Sequence, residues 1–558
     1  MKKIVYWYDH ETVIFAAEEL KRLMEKCGSP VGLIEKEKSG DFHQEAIHLI
    51  TAEQYAQMGG GSVEIKGDGF AIIEKDSYVW IVGKEPRSIL YGVYQYCSNR
   101  FGYRWIDLAK ETITGKSRAA VSIAEYSPSF SRRGNTIETI NDPDYINALI
   151  DWGVKNKQNE YFFTFFLWDK VERKVAPGLQ KRDVRVTLGG HSLKFLLEKV
   201  GESELLKGKK TSFFSGNNEV QEKVIRKIIE ICLENKVIKR ISLWPEDVGI
   251  DSREAKGFIT SYIAFAEKLK AVLADARLDV EVEHIVYNAG LAWEMLERED
   301  GAEASHTIDI LYAYWGRDYS ESLCSEDPNQ VRATHALKDW NEQARKKGRS
   351  LTVLEYYSDH FMLSQLFPPL LNRIHGDLKD YGQMNIGGVL NLIVPLHVKP
   401  NAPDLEKTYP WRWGHQLNNY VYTRLAWGEE YGDILDDYFS LFGDEKELWM
   451  TRILQLEKVL SPHTKWNVPL FPARVVDPEK VEASKVDQEI YRFLGKVHEL
   501  LAAWDLSDEE VGKGSRVGHE NPICPKEKLK IYLSYLKKIV ERYREEWQDA
   551  ESRNSMKA

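Results

Sequence analysis

The sequence predicts an α/β protein built on a (β/α)8 TIM barrel, with a small α/β domain before it and a helical domain after it. Three observations predict this. Between 125 and 425, eight apolar strand-like runs recur: Arg133–Glu138, Glu160–Trp168, Val184–Gly189, Arg240–Trp244, Val280–Tyr287, Ile308–Tyr314, Leu351–Tyr357 and Ile386–Ile393. Helical stretches such as Val220–Glu234, Ala255–Ala274 and Ala333–Lys346 fill the gaps from the second pair onward, the alternation a parallel barrel requires. The texture also changes on either side, to a mixed pattern over 1–120 and a helical one over 426–558.

The first of these stretches opens with a strand at 3–8 and a helix from Thr12 to Cys27, where Val13, Ala16, Leu20 and Leu23 share one face and Gly28-Ser29-Pro30 stops it. Strands follow at Val31–Ile34, Ala46–Thr51, Gly69–Glu74 and Tyr78–Gly83, then a helix from Pro86 to Arg100. Gly59-Gly60-Gly61 reads as a loop, because no Gly-x-Gly-x-x-Gly leads from a strand into a helix to cradle phosphate. At the other end, Asp433–Phe442, Lys446–Leu460, Lys485–Ala503 and Pro525–Trp547 carry apolar stripes at helical spacing, which is how amphipathic helices bury a face. This region is expected to cover the barrel or to form a homodimer face.

Composition narrows the function. The 558 residues are 43% hydrophobic and 29% charged, as in an ordinary folded protein. A formal charge of -10, with Lys and Arg scattered among acids, offers no basic field for nucleic acid. The five cysteines are widely separated and form no Cys-x-x-Cys, so they read as reduced thiols. The apolar run after Met1-Lys2-Lys3 is too short for a signal peptide or a membrane span, and the expected location is cytoplasmic.

The chain's chemistry is anchored at Lys239–Ile250. Its apolar, β-branched run stops at Pro245, followed at once by Glu246 and Asp247. Pro-Glu-Asp can be merely a turn and helix cap. At the C-terminal end of a barrel strand, however, carboxylates face the mouth where residues from several strands meet. The other strand ends add aromatic and hydrogen-bonding residues: Arg132, Arg133 and Asn135; Trp168 and Asp169; His191 and Ser192; Tyr287 and Asn288; Tyr314, Trp315, Arg317 and Asp318; Glu355, Tyr356, Tyr357, Asp359 and His360; Asn391 and His397; then Trp411 and Trp413. Sugar rings stack on Trp and Tyr while their hydroxyls bond to Asp, Asn, His and Arg, so the inventory suits a saccharide. His191, His284, His360 and His397 lack the His-x-His and His-Glu-x-x-His patterns, and neither a metal nor another cofactor is expected.

Several motifs resemble known families. Ala16-Ala17-Glu18-Glu19-Leu20, Gly67-Asp68-Gly69-Phe70, Gly83, Leu90-Tyr91-Gly92-Val93-Tyr94 and Gly102-Tyr103-Arg104-Trp105 resemble the domain that precedes the barrel in α-glucuronidases and family 20 hexosaminidases. Arg133, Asp151-Trp152 with Asn156 and Asn159, Gly190-His191-Ser192, Pro245-Glu246-Asp247-Val248-Gly249 and Glu355-Tyr356-Tyr357 resemble the DUF4838 group, which includes glycoside hydrolase family 163, endo-acting β-N-acetylglucosaminidases. The resemblance spans about 1–425 and implies a glycosidase with a barrel active site, most simply a retaining β-N-acetylhexosaminidase-type enzyme. A cytoplasmic location points to exo-type trimming of a small oligosaccharide. The alternatives are an α-glucuronidase-like hydrolase, with Arg132, Arg133 or Arg317 pairing a uronate carboxylate, and a non-catalytic sugar-binding protein.

Glycosidic cleavage needs two carboxyl groups. Glu246 is expected to be the general acid, because apolar walls at Trp244 and the neighbouring Asp247 charge both raise its pKa. Asp247 is then the ionised partner. Glu355 on strand seven is the competing choice as direct nucleophile, which requires its carboxyl to lie roughly 5–5.5 Å from that of the acid. Arg133, Trp168, His191, Tyr287, Asn288, Tyr314, Trp315, Tyr357, Asp359, His360, Asn391 and Trp413 are expected to bind the sugar.

Overall fold

A computed structural model describes residues 2–37, 45–75, 78–108, 111–114, 122–207, 213–214, 216, 218–245, 257–288, 293–298, 301–315, 317–363, 366–394, 404–461, 488–504 and 525–555. The first unit is a six-stranded sheet. Lys2–Tyr6 lies between Val31–Lys36 and Ala46–Thr51, all parallel, and Tyr78–Gly83, Phe70–Lys75 and Ile123–Tyr126 extend the sheet on the Ala46–Thr51 side. Helices Glu11–Lys26 and Pro86–Phe101 pack together on the sheet, burying Val13, Leu20, Leu90 and Tyr94 with Ile4 and Ile81. Pro86 suits the first turn, where its missing N–H costs nothing, and Gly102 ends the helix at φ 73°. The opposite sheet face buries Ile50, Ala71, Ile73, Trp80 and Val82. A short helix absent from the sequence expectation, Ala52–Gln57, starts here with a capping box between Thr51 and Gln54.

Eight parallel strands then close into a barrel: Arg132–Ile137, Glu160–Thr164, Arg185–Gly190, Ile238–Leu243, Glu281–Tyr287, Asp309–Ala313, Leu351–Asp359 and Gly388–Val394, numbered one to eight below. The TIM-barrel expectation holds, with local differences. Strand two ends at Thr164, and helix Phe165–Gln180 begins at the next residue. The first gap carries a helix too, Pro143–Lys155, capped by the Asp142 carboxylate. Between strands five and six, the only helix among the described residues is Glu294–Glu297.

Strand register fixes which side chains face the axis. Arg132, at the start of strand one, bonds to Glu160 on strand two, Glu283 on strand five and Thr352 on strand seven. Arg240 on strand four bonds to the same Glu283 and to Asp309 on strand six. These groups form an ionic floor inside the barrel. Burial works to raise the Glu160 carboxyl, and the Arg132 charge with its hydrogen bonds overrides it, holding Glu160 at about 2. From the floor, alternation places Phe162 and Thr164, Ser242 and Trp244, and Ile285 and Tyr287 successively higher on the inner face.

The barrel is joined to its neighbours by buried polar contacts. Arg133 Nη2 donates to Asp68 at 2.8 Å, and the Tyr91 hydroxyl donates to the Gln158 carbonyl. Helix Asp404–Trp427 lies outside strands eight and one, where the Tyr422 hydroxyl donates to the Gly134 and Val389 carbonyls. Helices Tyr431–Phe439, Lys446–Leu460, Gln488–Ala502 and Pro525–Ser555 follow. No helix among the described residues is long and apolar enough to cross a membrane.

Candidate active site at the barrel mouth

The C-terminal ends of strands three, four and five converge on one backbone carbonyl. Trp244 N donates to Gly190 O, which ties the end of strand four to strand three. The Trp244 indole donates to Ser242 Oγ at 3.0 Å, fixing its ring on the inner face against Phe162 at 5.2 Å. His191 stands edge-on to Trp244, with centroids 5.2 Å apart and planes at 84°. Its Nδ1 lies 2.8 Å from the Pro245 carbonyl oxygen, and the Tyr287 hydroxyl donates to the same oxygen at 3.2 Å. A carbonyl can only accept, so His191 Nδ1 is the donor in this contact. Pro245 is the residue immediately before Glu246, and two neighbouring strands therefore hold the point from which Glu246 departs. Glu246, Asp247 and His397 themselves lie outside the described residues, as do the side chains of Trp411 and Trp413 in helix Asp404–Trp427.

Glu355 faces away from the mouth. It is paired in register with Asn391, and both turn toward the outer helices. Its carboxylate accepts from Arg317 Nη1 at 2.6 Å, from the Tyr319 hydroxyl at 2.7 Å and from the Tyr381 hydroxyl. Arg317 Nη2 in turn donates to Asp377 on helix Leu371–Gln383. Burial first, and then the Asp377 charge, raise the Glu355 carboxyl against the pull of Arg317 and the tyrosines. Both carboxylate oxygens are thus engaged in this packing between strand and helix, away from the mouth where a nucleophile is expected.

Four more expected sugar ligands share this outward orientation. Arg133 is 0% exposed; it donates to Asp68 and to the Phe130 and Lys157 carbonyls at the domain junction. Trp168 sits on the outer helix with its ring 5.3 Å from Phe163, because strand two ends four residues before it. The Tyr357 hydroxyl donates to Asp377, and Asn391 donates to Asn419 and Ser358 beneath helix Asp404–Trp427. Asn135 joins the same network through Asn419. His284 also points outward, between Tyr262 and Trp340, where burial lowers it to about 4 and keeps it neutral.

The remaining expected residues lie at the ends of strands five to seven. Asn288 exchanges hydrogen bonds with the Trp315 backbone, pinning the ends of strands five and six together. Tyr314 packs on Trp293 at 5.5 Å. Asp359 and His360 are buried at the end of strand seven, at 1% and 4% exposure.

One carboxylate in the mouth was not expected from the sequence. Alternation from the inward Arg132 brings Glu138 to the inner face just past strand one. Its Oε1 lies 3.6 Å from where a Cβ would stand on Gly190, and its carbonyl accepts from the Thr164 hydroxyl. Gly190 has φ +66°, and the same Cβ would meet Thr164 Cγ2 at 2.9 Å, so both backbone and space require glycine there. The sequence signal was available in the two-residue period, but the expected ligands came from the start of strand one rather than its end.

Comparison with known proteins bears on this arrangement at the level of fold. The family described as Glycosyl hydrolase family 67 N-terminus matches residues 1–96. Comparison with curated protein sequences found no match. Among solved structures, a GH138 enzyme targeting pectin rhamnogalacturonan II is similar with a TM-score of 0.60 and 12% identity, over 99% of this chain and 70% of that one. BtGH115A, a GH115 4-O-methyl-α-glucuronidase with specificity for decorated arabinogalactans, gives 0.57 and 12%, over 98% and 75%. CpGH84D gives 0.53 and 11%, over 98% and 88%. At these identities, the barrel and the domain before it belong to an architecture found in glycoside hydrolases.

Proposed function

We propose that the protein is a glycoside hydrolase that acts on an oligosaccharide at the C-terminal mouth of its barrel, with Glu246 as the general acid. The observation that carries this reading is the double anchoring of the Pro245 carbonyl by His191 and Tyr287. A general acid must be held within hydrogen-bond reach of the leaving oxygen, and the residue before Glu246 is anchored from two strands. The inward Trp244 and Tyr287 are buried and give the mouth apolar walls. The fold shared with the GH138 and GH115 structures supports the same reaction class.

For the substrate, the proposal is a β-N-acetylhexosaminide cleaved with retention. An α-glucuronidase-like activity has specific support in the likeness to BtGH115A. Against it stand the three arginines that were candidates for binding a uronate. Arg132 is bonded to Glu160 and Glu283, Arg133 to Asp68, and Arg317 to Glu355 and Asp377. A substrate carboxylate would have to displace a protein carboxylate from a buried pair. Aryl β-N-acetylhexosaminides, other aryl glycosides and glucuronyl oligosaccharides, assayed side by side, separate the readings. Turnover of the uronates alone would overturn the substrate assignment, and saccharide binding without turnover of any glycoside would overturn the hydrolase.

A further inference from the structure

Strands four and five part toward the mouth. Strand four stays in register with strand three up to Gly190–Leu243, and strand five with strand six up to Tyr287–Ala313. Between four and five, the ladder among the described residues holds two pairs, Arg240–Glu281 and Ile241–Val282, and then stops. The barrel therefore has a seam, which runs up beside Pro245, the residue before Glu246.

One side chain enters this seam from outside. Helix Phe258–Asp275 follows strand four, and its Tyr262, 1% exposed, places its hydroxyl between the two strands. The Ile285 N–H donates to that hydroxyl at 3.1 Å, and the hydroxyl donates to the Leu243 carbonyl at 2.7 Å. In an unbroken parallel ladder, the register of Ile241 with Val282 would join Ile285 N–H to Leu243 O directly. The phenol is thus inserted into that rung as a relay, with two legs in place of one bond of about 2.9 Å. Burial pushes the Tyr262 hydroxyl well above the ordinary tyrosine value, so it stays protonated and can accept and donate at once. Its ring is fixed from behind by Phe214 at 5.0 Å and Phe258 at 6.3 Å. One step nearer the mouth, the Tyr287 hydroxyl crosses the same seam to the Pro245 carbonyl. Strands eight and one, on the opposite side of the barrel, keep six consecutive pairs.

We propose that Tyr262 is a positioning residue: its hydroxyl holds the seam open at Leu243 and so sets where the strand-four end, and Glu246 three residues beyond Leu243, stands at the mouth. This rests on the reading of Glu246 as the general acid. The test compares wild type, Tyr262→Phe and Tyr422→Phe. The last also removes a buried hydroxyl that donates to strand carbonyls, but on strands one and eight. Tyr262→Phe keeps the ring and its packing while leaving Ile285 N–H and Leu243 O without their partner. Hydrogen exchange read by mass spectrometry is expected to quicken at least about tenfold over 242–245 and 284–287 in Tyr262→Phe, and to stay at the wild-type rate there in Tyr422→Phe. Kinetics use two glycosides of one sugar, one with an activated phenol and one with an unactivated alcohol as leaving group. Tyr262→Phe is expected to lose about 10–10²-fold in kcat on the unactivated glycoside, with KM within about twofold, and less than about threefold on the activated one. Tyr422→Phe is expected to stay within about twofold on both. A role confined to stability would not distinguish the leaving groups. Wild-type exchange over 242–245 in Tyr262→Phe, no loss of kcat, or equal losses on the two substrates overturns the proposal. If the wild type turns over neither glycoside, or Glu246→Gln keeps the wild-type rate on the unactivated one, the general-acid reading fails by itself. Exchange alone then decides whether Tyr262 holds the strand-four end, quickened exchange supporting it and unchanged exchange overturning it.

Discussion

Glu355 shows how residue type and residue orientation part company. A glutamate ending an apolar strand among tyrosines has the composition of a catalytic carboxylate, and the sequence makes it the competing choice of direct nucleophile. Its direction depends on counting two-residue steps from a residue known to face inward, and that reference, Arg132, is identified only by its bonds to Glu160 and Glu283 across the barrel. His191 and Tyr287 were legible because each lies next to the mouth on the strand's inward phase. Replacing Glu355 by Gln leaves the buried Arg317 with one carboxylate partner in place of two. Breaking a buried pair costs about 3–5 kcal/mol, so Glu355→Gln is expected to lower the thermal midpoint by several degrees while kcat/KM below the transition stays within about twofold. Unfolding followed by circular dichroism, alongside the glycosidase assay, checks both halves. A loss of rate without a loss of stability would return Glu355 to the chemistry.

At the scale of elements, strand existence was legible and strand phase was not. All eight barrel runs contain a strand, because short apolar, β-branched segments bounded by polar turns have strand length, although the second run turns helical from Phe165. The bulge in strand seven, where Tyr356 and Tyr357 together oppose Leu392, has no such signature, since an inserted residue leaves composition unchanged. Nor does the sequence reveal how the helices after 425 support the barrel. Glu457, on helix Lys446–Leu460, caps the start of helix Leu371–Gln383, accepting from the Asn372 and Arg373 backbone N–H groups and from Asn372 Nδ2. Burial raises its carboxyl to about 7 against these bonds. The folded protein therefore keeps a proton on Glu457 that the unfolded chain releases near its ordinary value of 4.5. The contribution to stability is complete below about 4.5 and is lost as pH rises through about 7, a change of about 3 kcal/mol. Glu457→Gln is expected to flatten that segment of the stability profile. Denaturant unfolding of both proteins between pH 4.5 and 8 measures it, and parallel profiles would refute the assignment.

Across the whole molecule, the order of domain types could be read from texture, but the joints between them could not. Arg133 looked like a ligand because a charged residue within an apolar strand invites a functional reading. Its role is set by Asp68, 65 positions earlier, and by the Trp427 ring 5.0 Å away. The pair ties the first sheet to the barrel, with Asn159 also donating to Asp68. Asp68→Asn and Arg133→Met are each expected to destabilise by about 3–5 kcal/mol, whereas the double variant loses much less than their sum because no unpaired charge remains. A double-mutant cycle on thermal or denaturant unfolding reads this coupling directly, and additive losses would show that the two residues do not act together.

The central claim is that the mouth built around Pro245 hydrolyses glycosides with Glu246 as the acid. The most direct measurement compares wild type and Glu246→Gln on two glycosides of one sugar, one with an activated phenol as leaving group and one with an unactivated alcohol. General acid catalysis contributes about 10²–10⁴-fold, so the variant is expected to lose that much on the unactivated substrate and to recover most of it on the activated one, whose leaving group needs no proton. Equal rates of variant and wild type on the unactivated glycoside would contradict the account.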